Sequence, residues 1–215
     1  MNKFFKIPSV NLLVGIGGSG KSETIKHILR KYFIDKVFHY CIVFCSIAVE
    51  HKYKEFLPEE YVYTSFSEEI ILKILMIQTH LLTTVGKVSC VIIFDDVGSY
   101  SSKFSKRCPT LVQLFTENKN FNITIFVALQ SPSLIKSDAI LSNVSYAWIY
   151  RLDSENDYKD VYKNFGQRFT TWRLFKQWIE RNTGNYYIVV YNRKNLKNPY
   201  IVYHHSLTPN FRLLF

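Results

Sequence analysis

Gly15-Ile16-Gly17-Gly18-Ser19-Gly20-Lys21-Ser22 fits the pattern G-x-x-x-x-G-K-[ST]. In such a loop the glycines let consecutive backbone N–H groups converge on phosphate oxygens. The dipole of a following helix adds to that field, the lysine reaches the β/γ-phosphates and the hydroxyl ligates Mg²⁺. A chance match to four fixed positions should recur in roughly one chain per hundred at average glycine usage, before any structural context is required. The flanks supply that context. Val10 to Val14 is a short apolar run that predicts a strand, and Lys21 to Phe33 carries Ile25, Ile28, Leu29, Tyr32 and Phe33 at helical spacing. Four of the chain's eight glycines lie in the loop.

Working outward, Val37 to Ile47 predicts a second strand, rich in β-branched and aromatic residues, followed by a polar stretch with Pro58. Ser67 then caps a helix to about Leu82, with Glu68 and Glu69 where the helix dipole favours acids. Val88 to Phe94 is a continuous apolar run closed by Asp95 and Asp96, the pattern of a strand buried on both faces. Pro109 opens a helix to about Lys119, and Phe121 to Leu129 predicts a fourth strand ending at Gln130. Ser133 to Leu141 suits a short helix and Tyr146 to Tyr150 a fifth strand. Helices over Asp153 to Asn164 and Thr170 to Arg181 precede a hairpin, Tyr186 to Asn192 with Tyr200 to His204.

This alternation predicts one α/β domain with a mostly parallel sheet and helices on both faces, its core at about residues 10–151. A basic extension, about 152–215, adds the helical segment and hairpin. Ligands of such sheets bind at the carboxyl ends of the strands, so the polar residues there carry the chemistry. Asp95 directly ends its apolar run and is the better candidate to complete a Mg²⁺ site with Ser22. Asp96 is then available to activate an attacking water, and Gln130 to position it. The bland alternatives are a solvated Asp-Asp turn and an ordinary Gln-Ser-Pro loop start.

One strand and one helix intervene between the phosphate-loop unit and the strand bearing Asp95, a layout shared with RecA-like P-loop NTPases. Asp95-Asp96-Val97-Gly98 also fits the D-x-x-G of GTPases, but Asn118-Lys119-Asn120-Phe121 lacks the aspartate that should read guanine. A nucleoside or polynucleotide kinase is the stronger competitor, with Lys103 to Arg107 as a poor lid. A non-hydrolytic, nucleotide-gated DNA-binding or capsid-assembly factor is the non-enzymatic alternative.

GIGGSGKS, then VIIFDDVG, then NITIFVALQSPS resembles the viral DNA-packaging ATPases of the FtsK/HerA superfamily over about residues 10–151. The resemblance implies ATP and Mg²⁺ as cofactors, Lys21 and Ser22 on the triphosphate and metal, Asp95 completing the metal site, Asp96 as catalytic acid position and Gln130 as sensor. It implies a homo-oligomeric ring, pentamer or hexamer, that translocates double-stranded DNA towards a viral capsid or portal vertex, in the host cytoplasm, a viral factory or the virion. Relatives carry a Gly-Arg-His before the fourth strand and an arginine after the glutamine, where this chain has Asn118-Lys119-Asn120 and Lys136. Arg107 and Arg151 are the candidates left for a trans-acting arginine finger.

Composition agrees and adds a partner class. The chain has 215 residues, 47% apolar and 20% charged, which suffices for a hydrophobic core and excludes disorder as the dominant state. Its net charge of +10 points to a polyanion. The excess is concentrated: residues 161–215 hold nine basic side chains against the single acid Glu180. Arg168, Arg173, Lys176, Arg181, Arg193, Lys194 and Lys197 are therefore candidates to neutralise DNA phosphates, against the alternative of a solvated helix face. Four cysteines without CxxC spacing and an N-terminus without a signal-like apolar run suit a reducing intracellular compartment. Cys41 and Cys45 are expected in the core, not on a metal. No apolar run reaches the length of a membrane span; Ile70 to Ile77, the closest, contains Lys73.

Overall fold

The computed structural model describes residues 6–96 and 108–204. Eight strands form one sheet: β1 (Val10–Val14), β2 (Tyr40–Cys45), β3 (Val62–Tyr63), β4 (Cys90–Asp95), β5 (Ile123–Leu129), β6 (Tyr146–Ile149), β7 (Tyr187–Asn192) and β8 (Tyr200–His204). Among the described residues, seven α-helices accompany them: α1 (Lys21–Ile34), α2 (Ile47–Lys54), α3 (Glu68–Thr84), α4 (Pro109–Thr116), α5 (Asp138–Asn143), α6 (Glu155–Phe165) and α7 (Trp172–Asn182). The spatial order is β3-β2-β4-β5-β1-β6-β7-β8. From β3 to β6 all pairings are parallel; β7 and β8 extend the sheet antiparallel.

Because successive strand residues point to opposite faces, the sequence parity of each strand assigns its side chains. Val10, Leu12 and Val14 of β1, Ile92 and Phe94 of β4 and Ile125, Val127 and Leu129 of β5 share one core with residues of α3 to α7. Leu13, Val91, Ile93, Phe126 and Ala128 share the other with Ile25, Ile28 and Leu29 of α1 and Tyr53 of α2. Both faces are covered, which is why the central strands are uninterrupted apolar runs. Asn11, buried within β1, is satisfied: it donates to Ser9 Oγ and the Ile125 carbonyl and accepts from Trp148 Nε1.

Local signals place most elements. Ser67 accepts from Ile70 N–H at the start of α3, Pro109 opens α4, Ser154 forms a capping box with Asp157 on α6, and Thr171 caps α7. Three expectations are corrected. The apolar run 37–47 is not one strand: β2 ends at Cys45, and Ser46 turns the chain into α2, which occupies part of the polar stretch that follows. Short β3 comes next, so Asp95 lies on the fourth strand in sequence, not the third. The segment 133–141 divides into a 3₁₀ turn, Pro132–Leu134, and α5.

Candidate nucleotide site

The phosphate loop joins β1 to α1 at the carboxyl edge of the sheet. β1 lies between β5 and β6, and β5 separates it from β4. The ends of β4 and β5, bearing Asp95 and Gln130, therefore emerge side by side next to the loop. Parity sends Asp95 to the face covered by α1 and α2, where Ser22 and Tyr53 stand.

The loop is held by its backbone. Gly15 N–H donates to the Leu129 carbonyl at 3.2 Å and Ile16 N–H to the Arg151 carbonyl at 3.1 Å, which ties it to β5 and to the exit of β6. Gly15 is required by packing, since a Cβ there would stand 2.4 Å from Tyr150 Cβ. Gly18 and Gly20 adopt φ of 73° and 92°, the left-handed region that favours glycine. Gly20 precedes α1, whose first-turn N–H groups face the loop.

Lys21 Nζ donates to the carbonyls of Gly15 at 2.7 Å and Ile16 at 2.8 Å, arching over the loop. Burial lowers its pKa; the carboxylates of Asp95 and Asp96 oppose that shift and Lys52 reinforces it. Ser22 Oγ donates to Asp95 Oδ2 at 2.6 Å, and the buried Tyr53 hydroxyl donates to the same oxygen at 2.7 Å. Asp95 is 3% exposed. Asp96, one residue beyond β4, has φ of 52° and accepts from Ser46 Oγ at 2.5 Å. A non-glycine residue there is uncommon enough to mark a constrained position.

These groups line a cleft of about 420 Å³ formed by Gly17, Gly18, Lys21, Ser22, Asp95, Asp96 and Gln130, with Val49 and Lys52 of α2 opposite the loop. Gln130 is exposed and directed by the end of β5 to this cleft. A hydroxyl and a carboxylate oxygen 2.6 Å apart form a hard-oxygen donor set of the kind Mg²⁺ takes with water completing its shell. Ser22 and Asp95 thus fit the metal.

The remaining candidates fall elsewhere. Arg151 is exposed, two residues past β6, at the same edge as the loop. Arg107 lies outside the described residues. The pairing of Tyr146 with Asn192 puts the hairpin loop 193–199 at the opposite edge of the sheet. There Arg193 donates to the carbonyls of Val144 at 2.9 Å and Leu141 at 3.2 Å and stacks over Phe165, while Arg168 donates to the Leu196 carbonyl. Lys176 pairs with Glu180 at 3.5 Å, and Arg173 lies over Trp172. Arg181, Lys194 and Lys197 are exposed and hold no ion pair among the described residues. Cys41, Cys45, Cys90 and Cys108 are buried, and among the described residues they form no disulfide and no group of three His, Cys, Asp or Glu side chains could hold a metal. No described helix is long and apolar enough to cross a membrane.

Ser46, Lys52 and Tyr53 were not among the residues expected at the site. Ser46 had a usable signal, a polar residue directly ending an apolar strand at the sheet's carboxyl edge. Tyr53 had none, because its approach to Asp95 depends on α2, which the composition of residues 47–54 hides.

No family model matches the chain. It is similar to uncharacterized protein L437 of Acanthamoeba polyphaga mimivirus, 23% identical over 210 residues that cover 90% of this chain and 70% of that protein. It is also similar to uncharacterized protein 075L of Invertebrate iridescent virus 6, 24% identical over 178 residues that cover 81% and 67%. The chain thus spans about two thirds of the length of these relatives. Among solved structures, the genome packaging NTPase B204 of Sulfolobus turreted icosahedral virus 2, in complex with ATP-gammaS, superposes with a TM-score of 0.70 at 14% identity, covering 95% of this chain and 100% of that one. ATPases 2 and 3 of EssC from Geobacillus thermodenitrificans superpose at 0.63 with 9% identity, covering 91% of this chain and 39% of that one. The fold is that of the P-loop ATPases, and the resemblance to viral packaging ATPases drawn from the motifs holds as a likeness of fold.

Proposed function

We propose that this chain binds ATP with Mg²⁺ in the cleft between the phosphate loop and α2, hydrolyses it, and uses the cycle to move double-stranded DNA in viral genome packaging. The observation that carries the proposal is convergence. Lys21, Ser22, Asp95, Asp96 and Gln130, spread over more than a hundred residues of sequence, line one cleft at the carboxyl edge of the sheet.

In this reading the loop N–H groups and Lys21 hold the β- and γ-phosphates, so Lys21 exchanges the Gly15 and Ile16 carbonyls for phosphate oxygens. Ser22 and Asp95 would hold Mg²⁺, which would supply positive charge to the phosphate oxygens. Gln130 orients a water in line with the γ-phosphorus, and Asp96 accepts its proton as the new P–O bond forms and the bond to ADP breaks. Ser46 fixes the Asp96 carboxylate for that role. The site's contribution is positioning and electrostatic stabilisation of the transition state.

The duplex would be met by cations of the C-terminal quarter. Arg181, Lys194 and Lys197 suit phosphate contact as they stand, whereas Arg193 and Arg168 already serve backbone carbonyls. Arg151, whose carbonyl holds the phosphate loop at Ile16, or Arg107 would complete the site of a neighbouring subunit in a homo-oligomeric ring. The virus-encoded relatives and the likeness to B204 support packaging as the setting, with the capsid or portal vertex as partner and the host cytoplasm, viral factory or virion as location. The test follows label from the γ-phosphate of ATP in the presence and absence of long duplex DNA. Free phosphate, released faster with duplex, is the expected result; label on a nucleoside or polynucleotide would make the protein a kinase.

A further inference from the structure

Helix α2 is fastened at both ends to the two acidic residues of the site. Ser46, immediately before it, donates to Asp96 at 2.5 Å, and Tyr53 in its last turn donates to Asp95 at 2.7 Å. Between these anchors, Val49 and Lys52 share the helix face that looks across the cleft at the phosphate loop. Lys52 also lines an adjoining hollow of about 410 Å³ over the loop residues Gly18 to Glu23, so it overhangs the loop from Gly18 to Ser22.

The other lysines nearby are neutralised. Lys54 pairs with Glu50 and Glu59 at 3.3 and 3.9 Å, and Lys26 with Glu55 at 3.3 Å. Lys52 is exposed and has no ion-pair partner among the described residues. It lines the same cleft as Lys21. Lys52 and Lys21 therefore face one cleft, where a bound phosphate would meet both cations.

We propose that Lys52 is a phosphate-binding residue of this site, placing a second cation, in cis, on the terminal phosphate of a bound nucleoside triphosphate. The inference rests on the proposed nucleotide site and deepens it. The terminal phosphate is the one chosen because Lys52 shares its cleft with Asp96 and Gln130, which mark the hydrolytic end. An ammonium on a flexible stem suits an oxygen whose negative charge grows as the transferred group separates. It also makes α2 a sensor of nucleotide state, since the helix that touches the phosphate is the helix that holds both carboxylates.

Equilibrium binding of Mg²⁺–ATPγS and Mg²⁺–ADP to the full chain tests this with Lys52→Ala, Lys52→Arg, Lys54→Ala and Lys21→Ala. Lys52→Ala is expected to weaken ATPγS about tenfold or more, the scale of one charge-assisted hydrogen bond, and to leave ADP within about twofold. Lys52→Arg should restore most of the difference, and Lys54→Ala should change neither ligand. Equal losses for both nucleotides, or no loss for either, would overturn the assignment while leaving the nucleotide site intact. Undiminished binding of both ligands by Lys21→Ala would instead overturn the nucleotide site itself, and the proposal with it.

Discussion

The Tyr53 hydroxyl, buried beneath α2, donates to the same Asp95 oxygen that accepts from Ser22, at 2.7 and 2.6 Å respectively. Burial, and next the charge of Asp95, push the phenol pKa well up, so Tyr53 remains a donor at any physiological pH. One carboxylate oxygen is thereby fixed from both sides, which would hold Asp95 in place for the proposed Mg²⁺.

Tyr53→Phe removes that donor without emptying the space it fills. The expected outcome is a rise of about tenfold in the Mg²⁺ concentration for half-maximal hydrolysis, the scale seen when residues behind metal ligands are changed. Nucleotide binding in EDTA should stay as in wild type. An unchanged Mg²⁺ dependence would confine Tyr53 to packing.

Arg193 and its neighbours Lys194 and Lys197 should separate by what their removal changes. Arg193→Ala removes the side-chain donor of the Val144 carbonyl and leaves the Leu141 carbonyl only the Val144 N–H at the end of α5, and should cost about 1–3 kcal/mol in urea unfolding. Lys194→Ala with Lys197→Ala should leave stability within about 0.5 kcal/mol and reduce the dependence of duplex binding on log salt by about one unit for each phosphate no longer neutralised. If the double lysine variant binds duplex with the wild-type salt slope, these lysines do not meet DNA.

The alkaline limb of stability follows from buried acids of the core. Burial, followed by the charge of Asp95, raises the Cys45 thiol to about 12 from an ordinary value of 9.0. The unfolded thiol ionises near 9.0 while the folded one stays protonated, so stability is fully present below that pH and is lost between 9.0 and about 12. Tyr53 acts in the same direction from 10.0 upward. Urea midpoints should be level from pH 7 to 9 and fall beyond it, less steeply in Cys45→Ala. A midpoint that holds to pH 11 would contradict this.

The fold was legible where residues act locally. The phosphate loop, Ser67, Pro109 and the apolar run ending at Asp95 each state their structure within a few positions, and alternation then assigns the faces. Lys21, Ser22, Asp95 and Gln130 follow from that frame because the carboxyl edge of the sheet collects strand ends. What stayed hidden depends on partners distant in sequence. Helix α2 has little amphipathic pattern of its own and is held by Ser46, Tyr53 and the carboxylates they reach. Arg193 stood among the candidates for DNA phosphates because nothing near it in sequence reveals the carbonyls at the end of α5. The direction of the hairpin, which carries Lys194 and Lys197 away from the nucleotide edge, is fixed only by the register of β6 with β7.

The central claim is that Asp96, held by Ser46 at the mouth of the cleft, takes the proton of the attacking water. Phosphate release and ATPγS binding, measured together on wild type and Asp96→Asn, test it most directly. The predicted result is binding within about threefold of wild type with hydrolysis reduced by about 10²–10⁴, the usual contribution of a general base. An Asp96→Asn protein that hydrolyses ATP at the wild-type rate would contradict the account.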